Sequence, residues 1–187
     1  MNGINLAEAG HSVLAYGPAN ISSTATGQAA SFKLAEHVSI YILFGTEGGS
    51  PPAVPTSIQV NQCTDASGSN PTAMANGFRY YYQKLGGAGY DILDGNAQAL
   101  SNTVGPGPNW TSSNSGITSF PATVTGLVYI IEMDAAEMEI IAQSVGSNTE
   151  YPYFNVVVTS SAATPCTILY VFSGLRYAYK GGQTFTT

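Results

Sequence analysis

The stretch Gly126-Leu-Val-Tyr-Ile-Ile-Glu-Met-Asp, with Tyr153-Phe-Asn-Val-Val-Val-Thr and Thr167-Ile-Leu-Tyr-Val-Phe-Ser-Gly-Leu-Arg-Tyr-Ala behind it, decides the fold. Runs of β-branched and aromatic residues between turn residues read as strands. Ser160-Ser-Ala-Ala-Thr-Pro, between the second and third runs, reads as a hairpin connection. The first run ends differently. Asp134-Ala-Ala-Glu has capping-box spacing, and Met138, Ile140 and Ile141 supply one apolar side. That pattern predicts a short helix near 135–143.

Working back toward the N-terminus, Val38 to Phe44 alternates strictly. Val38, Ile40, Ile42 and Phe44 share one face; Ser39, Tyr41 and Leu43 share the other. Ile58, Val60 and Gln62 alternate against Ser57, Gln59, Asn61 and Cys63. Asp65-Ala-Ser-Gly-Ser-Asn-Pro is a turn, and Phe78-Arg-Tyr-Tyr-Tyr-Gln-Lys-Leu an aromatic strand. Between 86 and 122 the pattern is weak, with short strand candidates at 90–93 and 117–120. So long a weakly patterned connection reads as a binding loop anchored by Trp110. Residues 1–30 read as an extended N-terminal arm or edge strand, 31–180 as one domain and 181–187 as a polar tail. Six to eight short strands with turns between them predict an all-β protein. An antiparallel, jelly-roll-like β-sandwich is the expected architecture.

Composition narrows the function. Of 187 residues only 9% are charged, against a usual ~25%. Ser, Thr, Asn, Gln and Gly fill the polar surface, which defends poorly against association. The five basic residues, Lys33, Arg79, Lys84, Arg176 and Lys180, are scattered, and the net charge is −6. Direct nucleic-acid binding is therefore not expected, because nothing gathers the phosphate-neutralising charge it needs. No run reaches the ~20 apolar residues of a membrane span. Met1-Asn-Gly-Ile-Asn lacks the basic start and apolar core of a signal peptide, which points to synthesis in a cytoplasm. Cys63 and Cys166 read as buried free thiols rather than a disulfide or a zinc site, since no metal-ligand spacing accompanies them.

Few residues suggest chemistry. His11 and His37 are the only histidines. His37 reads as a strand flank and His11 as part of a loose segment, so neither predicts a catalytic triad. Glu132 and Asp134 lie two apart on one strand face. Such a pair can serve glycoside hydrolysis or calcium, but a solvated face leading into a capped helix accounts for it more simply. No catalytic, cofactor-binding or metal-ligating residue is expected. Tyr16, Tyr81 and Trp110 are the candidate partner-binding residues.

Five segments carry a resemblance. They are Gly126 through Met138, Tyr153-Phe-Asn-Val-Val-Val-Thr, Ile168-Leu-Tyr-Val-Phe-Ser-Gly-Leu-Arg-Tyr-Ala, Ala35-Glu-His-Val-Ser-Ile-Tyr-Ile-Leu-Phe-Gly, and Ile58-Gln-Val-Asn-Gln-Cys-Thr-Asp-Ala-Ser-Gly. Together they resemble a group of small tailed-phage virion proteins. In that group a strand ends in an acidic Ile/Val-Glu-Ile/Met-Asp-Ala element, and the last strand ends in Ser-Gly-x-Arg-Tyr-Ala. The resemblance spans about residues 30 to 178 and is weak from 86 to 120. It departs from the group at Glu139-Ile-Ile-Ala-Gln-Ser-Val-Gly-Ser-Asn, where relatives have a short Pro/Gly turn. It implies a head-associated capsid cement or decoration protein, made in the bacterial host cytoplasm. The implied partner is the major capsid protein, with a homodimer or homotrimer on the particle surface. A tail, neck or glycan-binding virion component is the alternative, and a carbohydrate-active enzyme using Glu132 and Asp134 a more remote one.

Overall fold

Each apolar alternation in the sequence becomes a strand with one buried and one solvent-facing side. In the computed structural model, residues 10–33, 35–45, 55–74, 79–84, 116–118, 120, 126–136 and 153–175 are described. They contain eleven strands. The longer ones are β1 (Gly10–Ile21), β4 (Ala35–Phe44), β5 (Pro55–Cys63), β7 (Arg79–Lys84), β9 (Leu127–Asp134), β10 (Tyr153–Ser160) and β11 (Thr164–Leu175). The short ones are β2 (Thr24–Thr26), β3 (Ala30–Ser31), β6 (Thr72–Ala73) and β8 (Gly116–Ile117). The short helix expected near 135–143 lies, past Ala136, outside the described residues.

The strands form two antiparallel sheets packed as a sandwich. One has the order β1-β11-β4-β9-β7; the other has β2-β10-β5-β6, with β3 also on β10 and β8 also on β5. Apart from β2 to β3 and β5 to β6, every covalent link carries the chain from one sheet to the other. Hydrogen-bonded neighbours are thus mostly remote in sequence.

This topology corrects one reading. The Ser160–Pro165 segment is not a hairpin: β10 and β11 sit in opposite sheets, and the link crosses the edge of the sandwich. Local hydroxyls fix the crossing. Ser160 Oγ and Thr164 Oγ1 are 2.8 Å apart, and both donate to the Ala162 carbonyl. Ser and Thr hydroxyls that bond nearby backbone stabilise sharp turns, so here the turn signal marks a change of sheet.

The core lies between the sheets. Val38, Ile40, Ile42, Ile131, Met133, Ile168 and Phe172 face Ile58, Val60, Phe154, Val156 and Val158. Phe154 joins the layers, with its ring centroid 5.1 Å from Phe32, 5.1 Å from Tyr170 and 6.1 Å from Phe172. Gly116–Ile117, at the start of the strand candidate at 117–120, is a short strand whose Ile117 is buried against the core.

Strand β5 departs from simple alternation at its end. Asn61 and Cys63 point away from the core, yet both are buried. The turn 64–70 folds back beside them, bringing Gly68 next to the Asn155 amide. Asp65 holds this turn by accepting the Ser67 and Ser69 amides. Asn61 Nδ2 donates to Asn155 Oδ1 at 3.1 Å beneath it, which satisfies groups that would be costly to bury unpaired.

Both cysteines are free and buried. Burial raises the Cys63 thiol to about 11 and Cys166 to about 12. Since the thiolate is the nucleophile, both are expected to resist a colorimetric disulfide reagent at neutral pH and to react fully in denaturant. Fast modification of the native protein would contradict the placement of these strands.

Candidate functional site

The pairing of β4 with β9 sets residues remote in sequence side by side. His37 lies opposite Asp134 and Ser39 opposite Glu132, on the outer face of the five-stranded sheet. There His37 is clasped on both sides. Its Nδ1 is 2.7 Å from Asp134 Oδ1, and its Nε2 is 2.6 Å from Glu132 Oε2. Ser39 Oγ donates to the same Glu132 oxygen at 2.8 Å and lies 3.5 Å from His37 Nε2. The three acid and imidazole groups are half-buried, with side-chain exposures of 29% for His37, 25% for Glu132 and 44% for Asp134.

Partial burial disfavours charge on His37. Hydrogen bonds to Asp134 and then Glu132, with their negative charge, outweigh that and raise it above its ordinary 6.5. The acidic pair is thus not simply a solvated face, and His37 not simply a strand flank. Each is the other's partner.

The cluster contains a serine, a histidine and an aspartate, but not in working order for acyl transfer. Glu132 stands where a nucleophile's hydroxyl would meet Nε2, and it also accepts the hydrogen bond of the Ser39 hydroxyl. Among the described residues no group of three or more His, Cys, Asp or Glu could hold a metal ion. The two carboxylates bond opposite edges of one ring and do not converge on a common point.

Beside the cluster the same face becomes apolar. Leu14, Leu169, Tyr41 and Ile130 stand in register across β1, β11, β4 and β9, with Tyr81 at the next position on β7. Leu14 is 56% exposed, and Leu43, further along β4, is 37% exposed. The outer face of the other sheet carries Thr24, Thr26, Ser57, Gln59, Val157 and Thr159, none of them charged.

The candidate partner residues fall in different places. Tyr81 belongs to the apolar row by backbone register. Tyr16 follows a register shift in β1 that turns it toward Ile168, so it is half-buried and packs on the core. Trp110 lies outside the described residues. Leu14 and His37 were missed as site residues because only the strand pairing shows their neighbours. No protein-family model, curated protein or solved structure matches this chain.

Proposed function

We propose that this protein is a non-enzymatic structural subunit of a tailed-phage particle, a capsid cement or decoration protein that binds the major capsid protein shell and stabilises it. The observation that carries this reading is the character of the two outer sheet faces. One bears a cross-strand row of Leu14, Leu169, Tyr41 and Ile130, and the other bears only uncharged side chains at Thr24, Thr26, Ser57, Gln59, Val157 and Thr159. Away from the His37, Glu132 and Asp134 cluster, and Arg79 beside it in register, such uncharged surface loses little on being covered. The resemblance to virion proteins falls on β4, β5, β9, β10 and β11, the strands that form the core of the sandwich. We read the connectivity as that of a jelly roll. Its support is the order β1-β11-β4-β9 against β2-β10-β5-β6, with β7 added beside β9.

The mechanism is mass action. A protein that binds only the assembled shell stabilises it by RT ln(1 + [L]/Kd), about 2.7 kcal/mol per site when its free concentration is about 100 times Kd. Particles lacking the protein are expected to release their DNA at lower temperature, and added protein to restore the difference. Equal rupture temperatures, with the protein absent from purified heads, would refute the reading. Tail-only labelling on intact particles would favour the tail or glycan-binding alternative. Glu132 and Asp134 we read as structural, since the nearest oxygen of each is committed to one imidazole.

A further inference from the structure

The His37 cluster carries an inference that stands apart from any role in a particle. A neutral imidazole has one N–H donor and one lone pair. Here both ring nitrogens lie within 2.7 Å of a carboxylate oxygen. A neutral ring would turn its lone pair toward one of those oxygens at hydrogen-bond distance, which is repulsive. A doubly protonated ring donates to both, making two charge-assisted bonds.

We propose that His37 is a proton-operated fastener: as an imidazolium it ties β4 to the end of β9 through Glu132 and Asp134, and loss of its proton loosens that end of the sheet.

Among the described residues few titratable or charged groups stand near the ring by register. On β11 the residue in register is Ser173, which does not titrate. On β4, Ser39 donates to Glu132, and Glu36 lies alongside Gly174. Beyond β9 the next strand, β7, begins at Arg79, in register with Glu132. Among the described residues strand β7 joins its sheet only through β9, so a loosened β9 end frees the start of β7 as well. The buried side of β9 is held independently, since Ile131 and Met133 sit in the core. The response is therefore local.

The sign follows from the raised value of His37. Its contribution is fully present below the unfolded value near 6.5 and is lost as pH rises through the higher folded value. Each unit separating the two is a tenfold change in the opening equilibrium.

Imidazole NMR of the whole protein tests this, with His11→Gln assigning the two histidines. His37 is expected to titrate above 6.5. Hydrogen exchange, corrected for intrinsic rates, is expected to lose protection at residues 37–39, 132–134 and 79–80 as pH rises from below 6.5 through the higher folded value of His37. Protection in β5 and β10 should hold. His37→Gln, which bonds carboxylates without titrating, should abolish that pH dependence. Glu132→Gln should lower the His37 titration even if His37→Gln fails to fold. A His37 titration at or below 6.5, or equal pH dependence of exchange in wild type and His37→Gln, overturns the proposal.

Discussion

Phe154→Ala is expected to destabilise the protein by about 3–5 kcal/mol, the cost of removing a large aromatic from a closed core. Phe154 is wholly buried on the inner side of β10. Its ring meets Phe32, which leads into β4, and Tyr170 and Phe172 of β11. It therefore contacts the opposite sheet directly, and alanine would leave a void between the layers rather than at a rim. For a chain of this length the loss corresponds to a fall in Tm of roughly 6–20 °C. Against a usual total of about 5–15 kcal/mol, the variant stands near the limit of folding. Urea melts beside Val157→Ala, on the outer side of the same strand, give the check. The outer substitution should cost well under half as much. Equal costs would mean that β10 does not face the other sheet as described.

Tyr170→Phe is expected to cost about 1–3 kcal/mol, although it removes a single oxygen. The Tyr170 hydroxyl is deep in the core and accepts the Val156 amide at 3.2 Å. Without it that buried amide loses this acceptor. Burial raises the Tyr170 hydroxyl far above its ordinary value of 10, so it stays protonated through the working pH range. A glycine makes room for it. A Cβ at Gly27 would stand 2.7 Å from the hydroxyl, while the Gly27 amide donates to the Val156 carbonyl at 2.8 Å. Gly27→Ala should therefore destabilise wild type, and should cost less in a Tyr170→Phe background, where the oxygen it strikes is gone. A double-mutant cycle measures this non-additivity. Strictly additive costs would show that the hydroxyl and Gly27 do not share the space assigned to them.

The fold class was legible because apolar alternation is local. Val38, Ile40, Ile42 and Phe44 declare their common face without reference to any other strand. What was not legible was partnership. Nothing local tells Ser160–Pro165 whether to return beside β10 or to cross to the opposite sheet. A hydroxyl-rich turn serves both, and the choice is made by remote pairing of β10 with β5 and β11 with β4. The candidate site was half legible for the same reason. Glu132 and Asp134 could be placed on one face from their spacing. Their imidazole stands on a strand 95 and 97 residues away in sequence, brought over by the β4–β9 register. Leu14 was overlooked because a lone leucine in a segment rich in small residues has no periodicity to mark it. Its significance comes from standing level with Leu169, Tyr41 and Ile130.

The position of β11 between β1 and β4 has a consequence for how the chain is made. His11 pairs with Phe172 and Ile42 with Ile168, so the five-stranded sheet is completed from opposite ends of the described chain. During synthesis β1 and β4 emerge early, without the strand that separates them. Each exposes an unpaired edge and an apolar face until β11 arrives. The loop to be closed is long, and such non-local pairing makes β topologies slow to fold. The interval between emergence of β4 and arrival of β11 is thus the protein's period of greatest exposure to aggregation. Its scarcity of charge, with only 9% of residues charged, gives little protection during that wait.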